Sequence, residues 1–131
     1  RAGGESVSGL LSMLKKTMWE NVGVIRDGQG LQRAIADIAS LRHDLNAVGI
    51  NSPREWFKAL RFEKMLTVSE MVARSALMRR ESRGAHYRSD YPEEEDLEWR
   101  CNVVVRRDRE KMALSRSDGK TAESAAHTQL Y

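Results

Sequence analysis

Ser52-Pro53-Arg54-Glu55-Trp56-Phe57 opens the longest uninterrupted helical pattern in the chain. The Ser52 hydroxyl can accept from the amide at Glu55, and the Glu55 carboxylate can reach back, so two otherwise unpaired donors of a helix start are satisfied together. Pro53 falls at the first helical position, where its missing amide removes nothing the helix would use. The pattern continues through Leu60, Met65, Val68, Met71, Val72, Ala76 and Met78, with no proline or glycine before Gly84. A helix of some 30 residues would be about 45 Å long. The stripe is least regular from Leu60 to Thr67, which predicts a bend or break there.

Two more helical stripes lie upstream. Val7, Leu10, Leu11, Leu14, Met18 and Val22 share one face, with Lys15, Lys16 and Glu20 on the other. Ser6 or Ser8 is placed to cap that helix, and Gly23 to stop it. A short link from Val24 to Gly28 follows, in which Asp27 can cap the next helix. Leu31, Ala34, Ile35, Ile38, Leu41 and Leu45 then alternate three and four apart, the spacing of a helix packed in a bundle, and Gly49 ends the run. Three amphipathic helices joined by short links predict a mainly α fold, an antiparallel three-helix bundle of the spectrin-repeat kind. Met13, Met18, Met65, Met71 and Met78 read as core filler rather than as a redox or metal site.

The character changes after Gly84. Tyr91-Pro92 favours extended backbone, and Glu93 to Asp96 reads as an acidic loop or a short helical turn. Asn102-Val103-Val104-Val105 is β-branched and reads as a strand. Met112-Ala113-Leu114 is its predicted hairpin partner, turning around Arg107 to Glu110. Lys120 to Tyr131 is small and polar and is expected to be loosely ordered. The expected organisation is a bundle over residues 1–86, an extended segment and small β-hairpin packed on it over 87–118, and a flexible tail over 119–131.

Composition narrows the function classes. The chain has 131 residues and a formal charge of +3, enough for one modest core and too little charge for a nucleic-acid surface. Its arginines are interleaved with acids, as in Arg79-Arg80-Glu81, the pattern of a solvated face. Cys101 is the single cysteine, so no intrachain disulfide can form; a reducing, cytoplasmic setting and a buried, inert thiol are expected. No stretch approaches the ~20 apolar residues needed to span a bilayer, which argues against direct membrane insertion. A start at Arg1 rather than Met reads as a fragment or a processed chain.

Chemistry-bearing side chains concentrate in Glu81-Ser82-Arg83-Gly84-Ala85-His86-Tyr87-Arg88-Ser89-Asp90-Tyr91-Pro92. Ser82, His86 and Asp90 match the residue types of a nucleophilic triad, but no nucleophile elbow or oxyanion loop surrounds Ser82. His86 with Asp90 or Glu81 would be a sparse metal site, and His43 and His127 lie in unrelated contexts. Docking fits the segment better. Cations are favoured at a helix C-terminus, guanidinium groups fork onto carboxylates, and Gly84 permits a tight reversal. The candidate interdomain docking residues are Glu81, Ser82, Arg83, Gly84, His86, Arg88 and Asp90, set against a purely local role in ending the helix.

The run Glu81 to His86, with Tyr87-Arg88 and Asp90-Tyr91-Pro92, resembles the C-terminal domain of the succinate dehydrogenase and fumarate reductase flavoprotein family. L-Aspartate oxidases carry a similar stretch. The resemblance extends to Met18 through Arg26, to Leu31 onward and to Val68 through Ala76, and Trp99 ahead of the Val103 to Val105 strand favours the succinate/fumarate branch. It implies a parent that binds FAD and exchanges hydride between flavin and a dicarboxylate, with its flavin-binding and catalytic groups upstream of this segment. Gly28-Gln29-Gly30 leads into Leu31-Gln32-Arg33 rather than a third glycine, so it reads as a helix entry and not a nucleotide loop. The resemblance therefore places no catalytic, flavin-binding or metal-binding residue here. It implies packing against the flavin-binding domain of the same chain and a border with an iron–sulfur subunit, through which the parent could associate with a membrane. The alternatives are the same domain of an L-aspartate oxidase, or a stand-alone helical interaction module without enzymatic activity.

Overall fold

The computed structural model describes residues 6–117 and 129–131. Three long helices, α1 (Val7–Val22), α2 (Gly28–Ala47) and α3 (Pro53–Met78), pack on one another. Each starts where its cap predicts. Ser6 accepts from the Gly9 amide at 3.1 Å, Asp27 from the Gly30 amide at 2.8 Å, and Ser52 from the Glu55 amide at 3.2 Å. Glu55 reaches back to accept from the Asn51 amide at 2.8 Å. Such a cap stabilises a helix by about 1 kcal/mol because it pairs a donor that the helix itself leaves open.

The core lies between the three helices. Leu10 and Leu14 of α1 meet Leu31, Ala34, Ile38 and Leu41 of α2 and Phe62 and Leu66 of α3. Burying each large apolar side chain contributes roughly 1.5–3 kcal/mol. Arg42 of α2 ties the outside of the seam, donating to Glu63 at 3.1 Å and Glu70 at 2.9 Å on α3.

Helix α3 departs from its sequence reading in three ways. It runs unbroken for 26 residues, with no break between Leu60 and Thr67. Its core face is Ala59, Phe62, Leu66, Ala73 and Ala76, whereas Trp56, Phe57, Leu60, Met65, Val68, Met71 and Val72 are exposed. Alanines add little to an apolar pattern, yet their small side chains let neighbouring helices approach closely. It also ends at Met78, six residues before Gly84, because Glu81 and Ser82 find partners outside the helix. Met13, Met65 and Met71 are likewise exposed rather than core filler, whereas Met18 packs against the core as expected.

The remainder is a smaller β unit. After β2 (Tyr87–Arg88) and the one-turn helix α4 (Asp96–Trp99), strands β3 (Asn102–Asp108) and β4 (Lys111–Ser117) form the predicted hairpin, with Val105 opposite Leu114. The reversal falls at Arg109-Glu110, where Arg109 takes a positive φ of 54°. Leu114 and Trp99 are buried. The last described residues do not trail away: β5 (Gln129–Leu130) pairs with Ala113 and Leu114 of β4 as a third strand. Residues 119–128 of the expected tail, and residue 118 before it, lie outside the described residues. Cys101 is half-buried, with its thiol 3.5 Å from the Glu98 carbonyl, rather than sequestered in the core. The link between α1 and α2 contains β1 (Ile25–Arg26), which pairs in parallel with β2, Ile25 opposite Tyr87 and Arg26 opposite Arg88.

Candidate functional site: the Glu81–Asp90 clamp

Residues 81–90 close one end of the bundle, where the C-termini of α1 and α3 meet the N-terminus of α2. Each helix end leaves backbone groups unpaired, carbonyls at a C-terminus and amides at an N-terminus. The segment supplies the missing partners. Arg88 is buried, and its Nη1 donates to the Leu77 carbonyl at 2.8 Å and to those of Ala76 and Arg79 at 3.3 and 3.2 Å. Its other edge forks onto Asp90, Nε at 2.9 Å and Nη2 at 2.6 Å. Asp90 in turn accepts from the Gly28 amide at the start of α2, at 2.9 Å. The Arg88 hydrogen bonds and the Gly28 amide hold the Asp90 carboxyl below the usual carboxylate range. A Cβ on Gly28 would lie 3.0 Å from the Asp90 carboxylate, so only glycine admits this approach without a shift.

Arg26 does the same for α1. Its Nε donates to the carbonyls of Gly23 and Val22 at 2.9 and 3.2 Å, while Nη1 lies 3.0 Å from His86 Nδ1. A guanidinium only donates, so Nδ1 accepts and Nε2 carries the proton, which points to the Arg79 carbonyl at 3.3 Å. Burial pushes the His86 imidazole below its ordinary pKa, and the charges of Arg26, Arg79 and Arg88 add to the depression. His86 is therefore a neutral strut between two chain segments.

Glu81 is fully buried at the other side of the turn. It accepts from Arg79, from Arg83 Nε at 3.0 Å and Nη2 at 3.1 Å, and from the Glu95 amide at 2.9 Å. Burial raises its pKa; the hydrogen bonds from Arg83, the Glu95 amide and Arg79 outweigh that, and the carboxyl is lowered to about 2. Arg79 also donates to the Trp99 carbonyl at 3.0 Å and lies over its ring, 5.4 Å from the centroid, which fastens the β unit to the end of α3. Arg83 donates to Asp96 at 2.6 Å as well, and its partners raise its pKa further above the ordinary arginine value.

The triad types do not assemble. Ser82 accepts from the Arg88 amide at 2.9 Å and donates to the Tyr91 carbonyl at 2.8 Å, while both nitrogens of His86 face Arg26 and the Arg79 carbonyl. The sparse metal reading fails on the same ground, because His86, Glu81 and Asp90 point to three different sets of partners. Among the described residues no three His, Cys, Asp or Glu side chains converge as metal ligands. Gly84 takes a φ of +58° between the reciprocal Arg83–His86 backbone bonds of 2.8 and 3.0 Å, and a Cβ there would meet nothing, so backbone conformation rather than space calls for glycine. Of the seven candidate residues, Glu81, Ser82 and Arg88 are buried inside the domain, Arg83 and His86 are half-buried, and Gly84 and Asp90 face outward. The sequence reading missed Arg26, whose only local signal is a cation three residues past the helix-ending Gly23.

Comparison with known proteins decides what this end-clamped bundle is. The profile described as fumarate reductase flavoprotein C-term matches residues 12–129. The chain belongs to that family. It is 37% identical over 101 residues to an uncharacterized FAD-dependent oxidoreductase of Methanocaldococcus jannaschii, covering 77% of this chain and 19% of that protein. An L-aspartate oxidase of Rhodospirillum rubrum is 45% identical over 82 residues, covering 63% of this chain and 25% of its own length. Among solved structures, the FrdA chain of E. coli quinol fumarate reductase superposes with a TM-score of 0.82 at 28% identity, over 95% of this chain and 23% of that one. The chain thus spans a fifth to a quarter of the length of these relatives. No helix among the described residues is long and apolar enough to cross a membrane.

Proposed function

We propose that this chain is the helical domain of an FAD-dependent oxidoreductase that interconverts succinate and fumarate. In that protein the domain serves packing and subunit contact, and the flavin and substrate groups lie outside it. The observation that carries this reading is the use of the Glu81–Asp90 side chains. The one segment rich in functional groups holds three helix ends together and leaves no nucleophile, base or ligand set free for chemistry. Glu81, Ser82 and Arg88 hold the turn in place. Arg83, Gly84, His86 and Asp90 offer its outward side to the flavin-binding domain of the same polypeptide, and an iron–sulfur subunit borders the assembly. The setting is the cytoplasm, with any membrane attachment made through partner subunits.

The similarity to the R. rubrum L-aspartate oxidase favours a second reading, the equivalent domain of an aspartate-oxidising flavoprotein. Flavin content and substrate choice separate the cases. The 131-residue chain, purified alone, should lack the flavin band near ~450 nm. The whole protein should be yellow and should reduce fumarate or oxidise succinate. Oxidation of L-aspartate in place of succinate would establish the second reading, and a stoichiometric flavin on the short chain would overturn both.

A further inference from the structure

We infer that the Arg26–His86 contact is an acid-released latch between the α1–α2 link and the turn that follows α3. Arg26 lies in β1 and His86 directly precedes β2, and the two strands pair over two residues, Ile25 with Tyr87 and Arg26 with Arg88. So short a ladder is weak by itself, and the side-chain contact at its edge adds to what keeps it closed. That contact is Arg26 Nη1 donating to His86 Nδ1 at 3.0 Å. The bond requires a neutral ring. A guanidinium only donates, so Nδ1 must keep its lone pair. A proton on Nδ1 would set donor against donor at that distance.

The surroundings of the ring oppose that proton as well. Arg26 faces it from β1, Arg79 from the end of α3 and Arg88 from β2. The other elements against it bring no charge: Met71, Val72 and Ser75 of α3 and Val103 of β3 line the shallow cleft of about 380 Å³ that the ring borders. The carboxylates of the turn are committed elsewhere, Glu81 to Arg79 and Arg83, and Asp90 to Arg88 and the Gly28 amide. Both stay ionised in mild acid, Glu81 down to about pH 2 and Asp90 to below its ordinary range. His86 is therefore the clamp group that titrates first as pH falls. With the latch open, the ring takes a proton at its ordinary value of 6.5; with the latch closed, it resists. The closed form thus keeps its full advantage above 6.5 and loses it as pH falls from there toward the folded value. Arg26 still holds the Gly23 and Val22 carbonyls through Nε, and Arg88 still holds the end of α3, because neither set of bonds uses His86. Acid therefore frees the outward turn around Gly84 and leaves the bundle intact.

Amide hydrogen exchange followed by NMR tests this on the 131-residue chain, wild type and His86→Gln, with the His86 ring titrated in the same samples. A glutamine amide offers one acceptor and one donor, as the neutral imidazole does, and does not titrate. Protection factors remove the intrinsic pH dependence of exchange. The Ser89 amide, which donates to the Arg26 carbonyl at 2.8 Å, reports on the latch. Its protection should fall about tenfold in the wild type between about pH 8 and about pH 5 and stay constant in His86→Gln. The amide of Ile38, in the core, should keep its protection in both proteins. Loss at Ser89 in both proteins, or in neither, would overturn the latch. Parallel loss at Ile38 would mean general unfolding and would overturn it too. Should His86→Gln not fold, the wild type alone decides. The ring must then titrate below 6.5, and Ser89 protection must start to fall above the ring's own midpoint. A ring midpoint at or above 6.5, or a loss that begins only below that midpoint, sinks the inference.

Discussion

The Arg88–Asp90 fork joins two helix ends of opposite polarity. Arg88 sits on the carbonyl end of α3 and Asp90 on the amide end of α2, so each charge lies where the helix dipole favours it. Two residues apart in sequence, they hold together the Leu77 carbonyl and the Gly28 amide, about fifty residues apart.

The fork makes Arg88 the most sensitive charged residue of the clamp. Arg88→Ala would leave the Ala76, Leu77 and Arg79 carbonyls without this donor and strip Asp90 of its partner. Leaving these buried acceptors without a donor costs roughly 1–3 kcal/mol, and Arg88→Lys should recover only part of it because an ammonium cannot fork to both sets of acceptors. Urea denaturation read by far-UV circular dichroism measures both variants. A loss under about 1 kcal/mol for Arg88→Ala would show that water replaces the guanidinium at little cost.

Glu81 sets an acid limit. Its folded pKa of about 2 lies below the ordinary 4.5, so folding favours the ionised form. The stability this confers is complete above the ordinary value and is lost as pH falls toward the folded one. The wild-type chain should therefore exceed Glu81→Gln in stability above pH 4.5, and the two should converge as pH approaches 2. Denaturation midpoints of the two proteins across that range test it. A difference that stays constant down to the lowest pH would mean that the charge of Glu81 is not what stabilises the turn.

Helix α3 offers a direct comparison between two phenylalanines. Phe62 is 2% exposed in the core, and Phe57, one and a half turns earlier, faces outward. Phe62→Ala should cost about 3–5 kcal/mol, and Phe57→Ala in the 131-residue chain should stay within about 1 kcal/mol of wild type. Equal losses in thermal melts would mean that the helix is rotated from the orientation described.

Local rules made much of this fold legible. Ser6, Asp27 and Ser52 cap the helices that their positions announce, because a cap depends on a few neighbouring residues. The buried faces of α1 and α2 follow from periodicity, since each helix has one strongly apolar side. The hairpin was legible from its two β-branched or apolar runs and the polar stretch between them. The family resemblance was likewise carried by contiguous residues, Glu81 to His86 above all.

Other features depend on the tertiary structure. Periodicity cannot choose between two apolar sides of one helix; the close approach permitted by Ala59, Ala73 and Ala76 turns the smaller side of α3 inward. The parallel pairing of Ile25 with Tyr87 joins residues with no local signal for each other, and it exists because the bundle brings the C-terminal ends of α1 and α3 together. The docking residues divide for the same reason. Sequence marks Glu81 to Asp90 as rich in functional groups, but only packing determines that Glu81, Ser82 and Arg88 turn inward while Gly84 and Asp90 remain at the surface. A side chain's chemical type is written in the sequence; its partner is decided by which helix ends lie within reach once the core has formed.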